Sequence, residues 1–271
     1  MVSILDIIKK HRYFFILQIV AFLLAISMLI YKPVGPHTTL LTETYPLFSL
    51  ANISAIALFF IGGHFIVMWY RRYRENMSFL LWGIAFIVYS FLFIGLCLYA
   101  MGYDWADMSS PKVFFLFRQT MIIFLTLIYF GTVIRLTEDK FSRYVLSLLI
   151  LTGGYTIFIY GLPILGDIEW TMYAFVYLFL IPVSLFISYI FYLYYKFSSL
   201  NASLLISIAW IYYAISYAFW SPLHYPETMH LWYVSFSHFT LSIMLMLLGY
   251  MLLPYELKIR TLEERIEMLH D

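Results

Sequence analysis

The feature that most constrains this chain is the return of apolar runs long enough to cross a bilayer. A span needs about 20 apolar residues, and such runs recur about every 30 residues from one end of the sequence to the other. Eight are read, at 13–30, 48–70, 79–101, 113–136, 144–163, 171–195, 204–221 and 232–253. Only 11% of the 271 residues are charged, against about 25% in ordinary soluble domains, so a water-facing shell cannot be assembled. The expectation is an all-α, polytopic integral membrane helical bundle of about eight transmembrane helices, a multi-pass protein of the cell membrane. Nothing is left for a separate soluble domain. Loops are short, the longest running from Tyr31 to Pro46, where Pro33, Gly35, Pro36 and Pro46 suggest an ordered turn.

Basic residues in short loops mark the cytoplasmic side. With the N-terminus inside, Lys9, Lys10, Arg12, Arg71, Arg72, Arg74, Arg135, Lys140, Arg143, Lys196, Lys258, Arg260 and Arg265 all fall in the cytoplasm, and only Lys32 and Lys112 fall outside. Both termini are therefore expected in the cytoplasm. Lys9, Lys10 and Arg12 precede the first run as in a signal peptide, but no small-residue cleavage site follows before Lys32-Pro33, so 13–30 reads as a retained anchor span. The bundle then occupies 1–253 as an anchor plus a seven-helix unit, 48–253, with a tail at 254–271. No carboxylate lies in the middle of a span, which lowers a proton-pump reading, and no lysine lies within the seven helices to carry a retinal Schiff base.

Arg118, followed by Gln119, is the one charge inside a span away from its last turn. An arginine in hydrocarbon costs at least about 2.5 to 3.5 kcal/mol unless it snorkels or pairs, so it marks either a site for an anionic ligand or a side chain reaching the outer headgroups. His238 lies in the outer part of the eighth span. Tyr89, Tyr129, Tyr177, Tyr212 and Tyr213 are deep phenols that need partners, which Ser184, Ser188, Ser207, Ser216 and Thr126 are placed to supply across helices. A ligand-binding set of Arg118, Gln119, His238, Tyr177 and Tyr213 follows, with Pro182 as a hinge in the sixth span. Helix packing explains the same tyrosines. His224, Glu227 and His230 in HYPETMH have donor chemistry suited to zinc or a similar divalent cation, although Pro226 works against a regular helix there. His64 and His238 differ in depth, which argues against a bis-histidine haem, and Gly62 and Gly63 beside His64 read as a site of close helix packing.

After Pro254 the chain turns polar. Ile259, Leu262, Ile266 and Leu269 step by 3, 4 and 3, the a/d rhythm of a coiled coil, with Glu263, Glu264, Arg265 and Glu267 on outer positions. The tail is expected to pair across a homodimer or extend the last helix as a signalling rod, with an amphipathic helix on the inner leaflet as the competing reading. No nucleophile constellation or phosphate loop appears, so an enzyme is not expected. The sequence requires no cofactor. A net charge of +1 gives no reason to propose nucleic acid.

Three stretches carry a resemblance: WYRRYRENMSFLLWGIAF, a span ending in a basic hairpin; KVFFLFRQ, leading from an external loop into a further span; and YFGTVIRLTEDKFSRY, closing that span at the inner face. Together, from Ile53 to Tyr144, they resemble the seven-helix membrane sensory regions at the N-terminus of bacterial and archaeal histidine kinases, and the heptad tail resembles the linker to a kinase core. The chain departs from that layout in its additional first span and in the lack of an effector after Asp271. The resemblance implies a sensor separate from its output, or a stand-alone receptor acting through a cytoplasmic partner. The leading functional expectation is therefore perception of an extracytoplasmic or membrane-borne signal, relayed through the tail. A transporter or channel for an anionic or aromatic solute is the runner-up, and a haem- or quinone-binding protein the third reading.

Overall fold

Within lipid, an apolar segment must satisfy its own backbone donors and acceptors, and a single helix does so without help from a neighbour. The computed structural model describes residues 41–100, 111–165, 171, 173–220 and 229–267, and no strand occurs among them. Seven α-helices follow in order: α1 (Leu41–Arg72), α2 (Met77–Ala100), α3 (Pro111–Leu136), α4 (Leu146–Leu165), α5 (Ile181–Ser198), α6 (Asn201–Trp220) and α7 (Met229–Glu267). Two π-helical turns, Phe141–Val145 and Phe175–Leu180, lead into α4 and α5.

Six helices are long and apolar enough to cross a membrane, over Ser49–Arg72, Met77–Leu98, Arg118–Leu136, Phe175–Ser198, Asn201–Ala218 and Phe236–Lys258. This is the make-up of a multi-pass membrane protein, and the six coincide with the second, third, fourth, sixth, seventh and eighth expected spans. The fifth, 144–163, is occupied by α4, a helix of 20 residues whose side chains are described only as far as Tyr160. The anchor at 13–30 lies outside the described residues. One boundary differs clearly from expectation. Helix α1 begins at Leu41, so Pro46 sits inside it rather than closing a loop. As the sixth residue of the helix Pro46 removes the N–H that would bond the Thr42 carbonyl, and the helix continues past it.

The described chain forms two compact units that divide within α3, between Gly131 and Thr132. In the first, α1 and α2 form an antiparallel hairpin. Its turn is set by Asn76, whose N–H donates to the Tyr73 carbonyl at 2.8 Å and whose Oδ1 accepts the Ser78 N–H at 3.2 Å, capping α2. The Trp69 indole donates to the Arg74 carbonyl at 3.1 Å, and the Arg74 guanidinium lies 4.5 Å above the Tyr70 ring. The core is aromatic. Phe65, Phe79, Trp82 and Phe86 are buried with ring centroids about 6 Å apart, and Tyr89 stacks on Phe124 at 4.1 Å. Trp82 fits because Gly131 has no side chain: a Cβ there would lie 2.9 Å from the indole Cδ1.

In the second unit, α6 packs against both α5 and α7. Its centre is Trp210, Tyr213, Tyr217, Phe239 and Tyr250, all fully buried, with Tyr213 and Tyr217 each 5.2 Å from Phe239. Helices α6 and α7 cross where Gly249 meets Ile206, since a Cβ at Gly249 would fall 2.6 Å from Ile206 Cγ1. Ser188 of α5 donates to the Ser207 carbonyl at 2.8 Å and lies 2.9 Å from the Ser207 hydroxyl, tying α5 to α6.

Between α3 and α4, Asp139 caps the first π turn, accepting from the Ser142 N–H at 2.8 Å and from the Phe141 N–H at 3.3 Å. Arg143 folds back to donate to the Thr137 and Ile134 carbonyls at the end of α3. Those carbonyls have no partner within their own helix, and a cation there also complements the helix dipole.

Candidate functional site

The expected ligand-binding residues divide between the two units. Arg118 and Gln119 belong to the first. Arg118 is 7% exposed, so its guanidinium is enclosed by protein rather than extended into open headgroup space. Its Nη1 donates to Met121 Sδ at 3.2 Å, a weak acceptor one helical turn on. Gln119 is half-buried.

The second unit holds the other three, on α6, on α7 and in the π turn before α5. His238 is exposed on α7, and its Nδ1 lies 2.6 Å from the Tyr212 hydroxyl of α6. Tyr212 is the residue that sequence reasoning left out of the ligand set, although it counted among the deep phenols. Its neighbour Tyr213 points the other way, fully buried against Trp210, Tyr217 and Phe239. Tyr213 therefore forms part of the packed core between α6 and α7, while Tyr212 carries the polar contact.

Tyr177 sits in the second π turn and donates to the Ala218 carbonyl, near the end of α6, at 3.1 Å. Pro182 stands two residues beyond this turn, after Ile181. Proline has no N–H and its ring crowds the carbonyl four residues earlier, and the chain meets this by widening: the Ile181 N–H donates to the Val176 carbonyl, five residues back. The wide turn is the local feature of the helix at the expected hinge. It also holds Tyr177 where its phenol reaches the Ala218 carbonyl in the last turn of α6.

None of the five hydroxyls expected to serve the deep phenols does so. Thr126 donates to Ile122 in its own helix, Ser188 pairs with Ser207, and the buried hydroxyls of Ser184 and Ser216 make no hydrogen bond. Short side chains on a helix bond back to their own backbone or to a serine facing them across a close contact, and do not reach a phenol. Of the two glycines beside His64, Gly62 makes the close helix contact and Gly63 faces open space.

His224 and Glu227 lie outside the described residues, His230 falls in the first turn of α7, and no group of three metal-ligating side chains occurs among the described residues. Leu269 also lies outside them. Ile259, Leu262 and Ile266 fall within α7, which continues unbroken through Pro254 to Glu267.

At the other end of this unit a second polar contact joins α7 to α6. The Glu256 carboxylate accepts the Ala202 N–H at 2.9 Å, filling one of the donors left open at the start of α6. Just before it, Ser199 closes α5 in the left-handed region, φ 54°, with its N–H on the Tyr195 carbonyl at 2.7 Å.

Chemically, the Tyr212–His238 pair is a phenol–imidazole contact between α6 and α7, with the histidine exposed. With Nδ1 engaged by the phenol, Nε2 faces away from the pair and donates or accepts according to tautomer. No protein-family model, curated protein or solved structure matches the chain.

Proposed function

We propose that this is a receptor-like protein of the cell membrane, with an anchor span followed by seven helices and with both termini in the cytoplasm. It perceives an extracytoplasmic or membrane-borne ligand and relays its presence through the tail to a partner. The observation that supports this reading is the length of α7. Its 39 residues extend about 58 Å at 1.5 Å per residue, far more than the roughly 30 Å of a bilayer core. One unbroken helix thus connects His238, near one end of the span, to the polar segment beyond Pro254. A rigid element biased at one end moves at the other, which is the physical requirement for relay.

In the second unit the outward edge of His238 supplies the ligand with a hydrogen-bonding position. Native mass spectrometry of the protein taken from its membrane in polymer discs tests the first half of the reading. A bound small molecule is expected, and it should weaken in the Tyr212→Phe, His238→Ala double variant. Hydrogen exchange tests the second half, since tail amides from Glu256 onward should exchange at different rates in loaded and stripped protein. Identical exchange in the two forms would rule out relay through α7, and uptake by reconstituted vesicles that Arg118→Ala abolishes would favour transport instead.

A further inference from the structure

We infer that the exposed face of α7 is a homodimer seam running without interruption from the span into the tail, and that a second copy of this chain occupies it. The apolar positions of the tail are Ile259, Leu262 and Ile266, with Leu269 continuing the spacing in sequence. Counted backwards through the unbroken helix in the same alternating steps of four and three, this register reaches Tyr255, Leu252, Leu248, Leu245 and Leu241. Leu241, Leu248 and Leu252 are 49%, 46% and 40% exposed, and Leu245 and Tyr255 are partly exposed.

The opposite face gives the contrast. Phe239, Ile243, Met246, Tyr250 and Leu253 are buried, and their register continues into the tail as Leu257, Arg260, Glu264 and Glu267. From Arg260 on, the tail is therefore polar on the register that the span buries and apolar on the register that the span leaves exposed. In lipid an exposed leucine stripe gains little from association, because acyl chains are as apolar as leucine. In water the tail's apolar stripe gains from burial, and two heptads alone are too short to hold a helix pair. The span contributes the preformed helix and the tail the driving force.

Charge at the flanking positions sets the direction. Lys258 precedes the Ile259 position and Glu263 follows the Leu262 position, so a parallel pair brings Lys258 of one copy opposite Glu263 of the other, whereas an antiparallel pair would gather like charges. Parallel pairing is also the only one available to two copies inserted with the same orientation.

This deepens the relay reading by naming the tail's partner, yet the pairing itself needs no ligand, so the two are tested separately. In a Cys97→Ser background, single cysteines at Leu241, Leu248, Leu252, Ile259 and Ile266 are oxidised in lipid membranes. Ile208 and Ile215 of α6, 51% and 50% exposed, serve as lipid-facing controls. All five α7 positions should form disulfide dimers several-fold above the controls. Crosslinks at control level would mean that lipid alone covers the face, and crosslinks confined to Ile259 and Ile266 would limit pairing to the tail; either result overturns the seam. The unsubstituted chain, fluorescently tagged and diluted in vesicles, should bleach in two steps, and single steps would overturn it as well. Dimers that form identically in ligand-loaded and stripped protein would leave the seam standing and remove the relay.

Discussion

Gly62 and Gly83 meet backbone to backbone: a methyl group added to Gly62 would sit 2.7 Å from the Gly83 carbonyl oxygen, and one added to Gly83 would sit 2.8 Å from the Gly62 carbonyl oxygen. The α1–α2 hairpin closes to this distance because neither residue carries a Cβ, and small residues at such crossings let van der Waals packing hold helices together in lipid. Carbonyl oxygens belong to rigid helices and cannot swing aside. Gly62→Ala and Gly83→Ala should each destabilise the first unit by about 1 to 3 kcal/mol, as overpacked sites do. Gly63→Ala, with nothing within 4 Å, should leave stability unchanged or slightly raised. Thermal unfolding of the three variants in lipid discs measures this, and equal losses at Gly62 and Gly63 would contradict the geometry.

Ser199 holds a left-handed conformation, φ 54°, that a side chain disfavours and glycine adopts freely. The residue is exposed and its N–H closes α5, so the turn needs the backbone shape more than the hydroxyl. Ser199→Gly should raise stability by about 0.5 to 1 kcal/mol. A melting temperature at or below that of the unsubstituted protein would show that the serine side chain itself supports the turn.

The positions of six membrane helices were legible because hydropathy alone dictates where backbone must be satisfied inside a segment. The residues that carry polar contacts were much less so. Whether Tyr212 or Tyr213 meets His238 depends on the rotation of α6 about its axis, and adjacent residues differ in nothing that composition or spacing registers. The π turn before Pro182 was half legible: proline announces a broken ladder, but whether the chain kinks or widens depends on the carbonyls and side chains around it. Gly62 could be read as a packing glycine and Gly63 could not be told from it, because only the partner helix distinguishes them.

Asp139 carries a pH dependence that follows directly from the structure outside the spans. Its carboxyl is held below the ordinary carboxylate range, first by the Ser142 hydroxyl and then by the Ser142 N–H, which outweigh its slight desolvation. A group whose folded value is depressed contributes stability above its unfolded value, about 3.9, and loses that contribution as pH falls through the lower folded value. Asp139→Asn should therefore be less stable than the unsubstituted protein at pH 6, with the difference shrinking as pH falls below about 4. Unfolding curves of the pair from pH 6 down to 2.5 test this, and a constant difference would show that ionisation of Asp139 plays no part in the cap.

The proposed orientation has its own test in the short turns. The Tyr73–Asn76 turn beside Arg71, Arg72 and Arg74, the Thr137–Lys140 segment and the Ser199–Leu200 turn all join helices at ends carrying basic residues. Positive charge in short loops is retained on the cytoplasmic side. Cysteines placed at Glu75, Glu138 and Ser199 of a Cys97→Ser protein should resist an impermeant maleimide applied to intact cells and react after permeabilisation. Labelling of any one of the three in intact cells would invert or break the proposed topology.

Glu256 lies two residues beyond Pro254, where α7 leaves its most apolar stretch, and its carboxylate reaches the Ala202 N–H at the opening turn of α6. In sequence it reads as one more charge after a proline. Its role requires the α5–α6 turn to lie beside the end of α7, which Gly249 permits by letting α7 approach Ile206 closely. Two effects act together: a hydrogen bond to an otherwise open donor, and a negative charge at the positive end of a helix. Glu256→Ala removes both and should cost about 0.5 to 2 kcal/mol, the range for loss of a capping side chain. Glu256→Gln keeps an acceptor and loses the charge, so its cost should be smaller, about 0.3 to 1 kcal/mol. Because the contact joins the base of the tail to α6, the sharper reading is local. Exchange of the Ala202 amide should quicken most in Glu256→Ala and less in Glu256→Gln, while amides in the middle of α6 stay protected. An Ala202 amide that exchanges at the same rate in all three proteins would mean that the carboxylate does not hold α6, and that α7 is free of it where the tail begins.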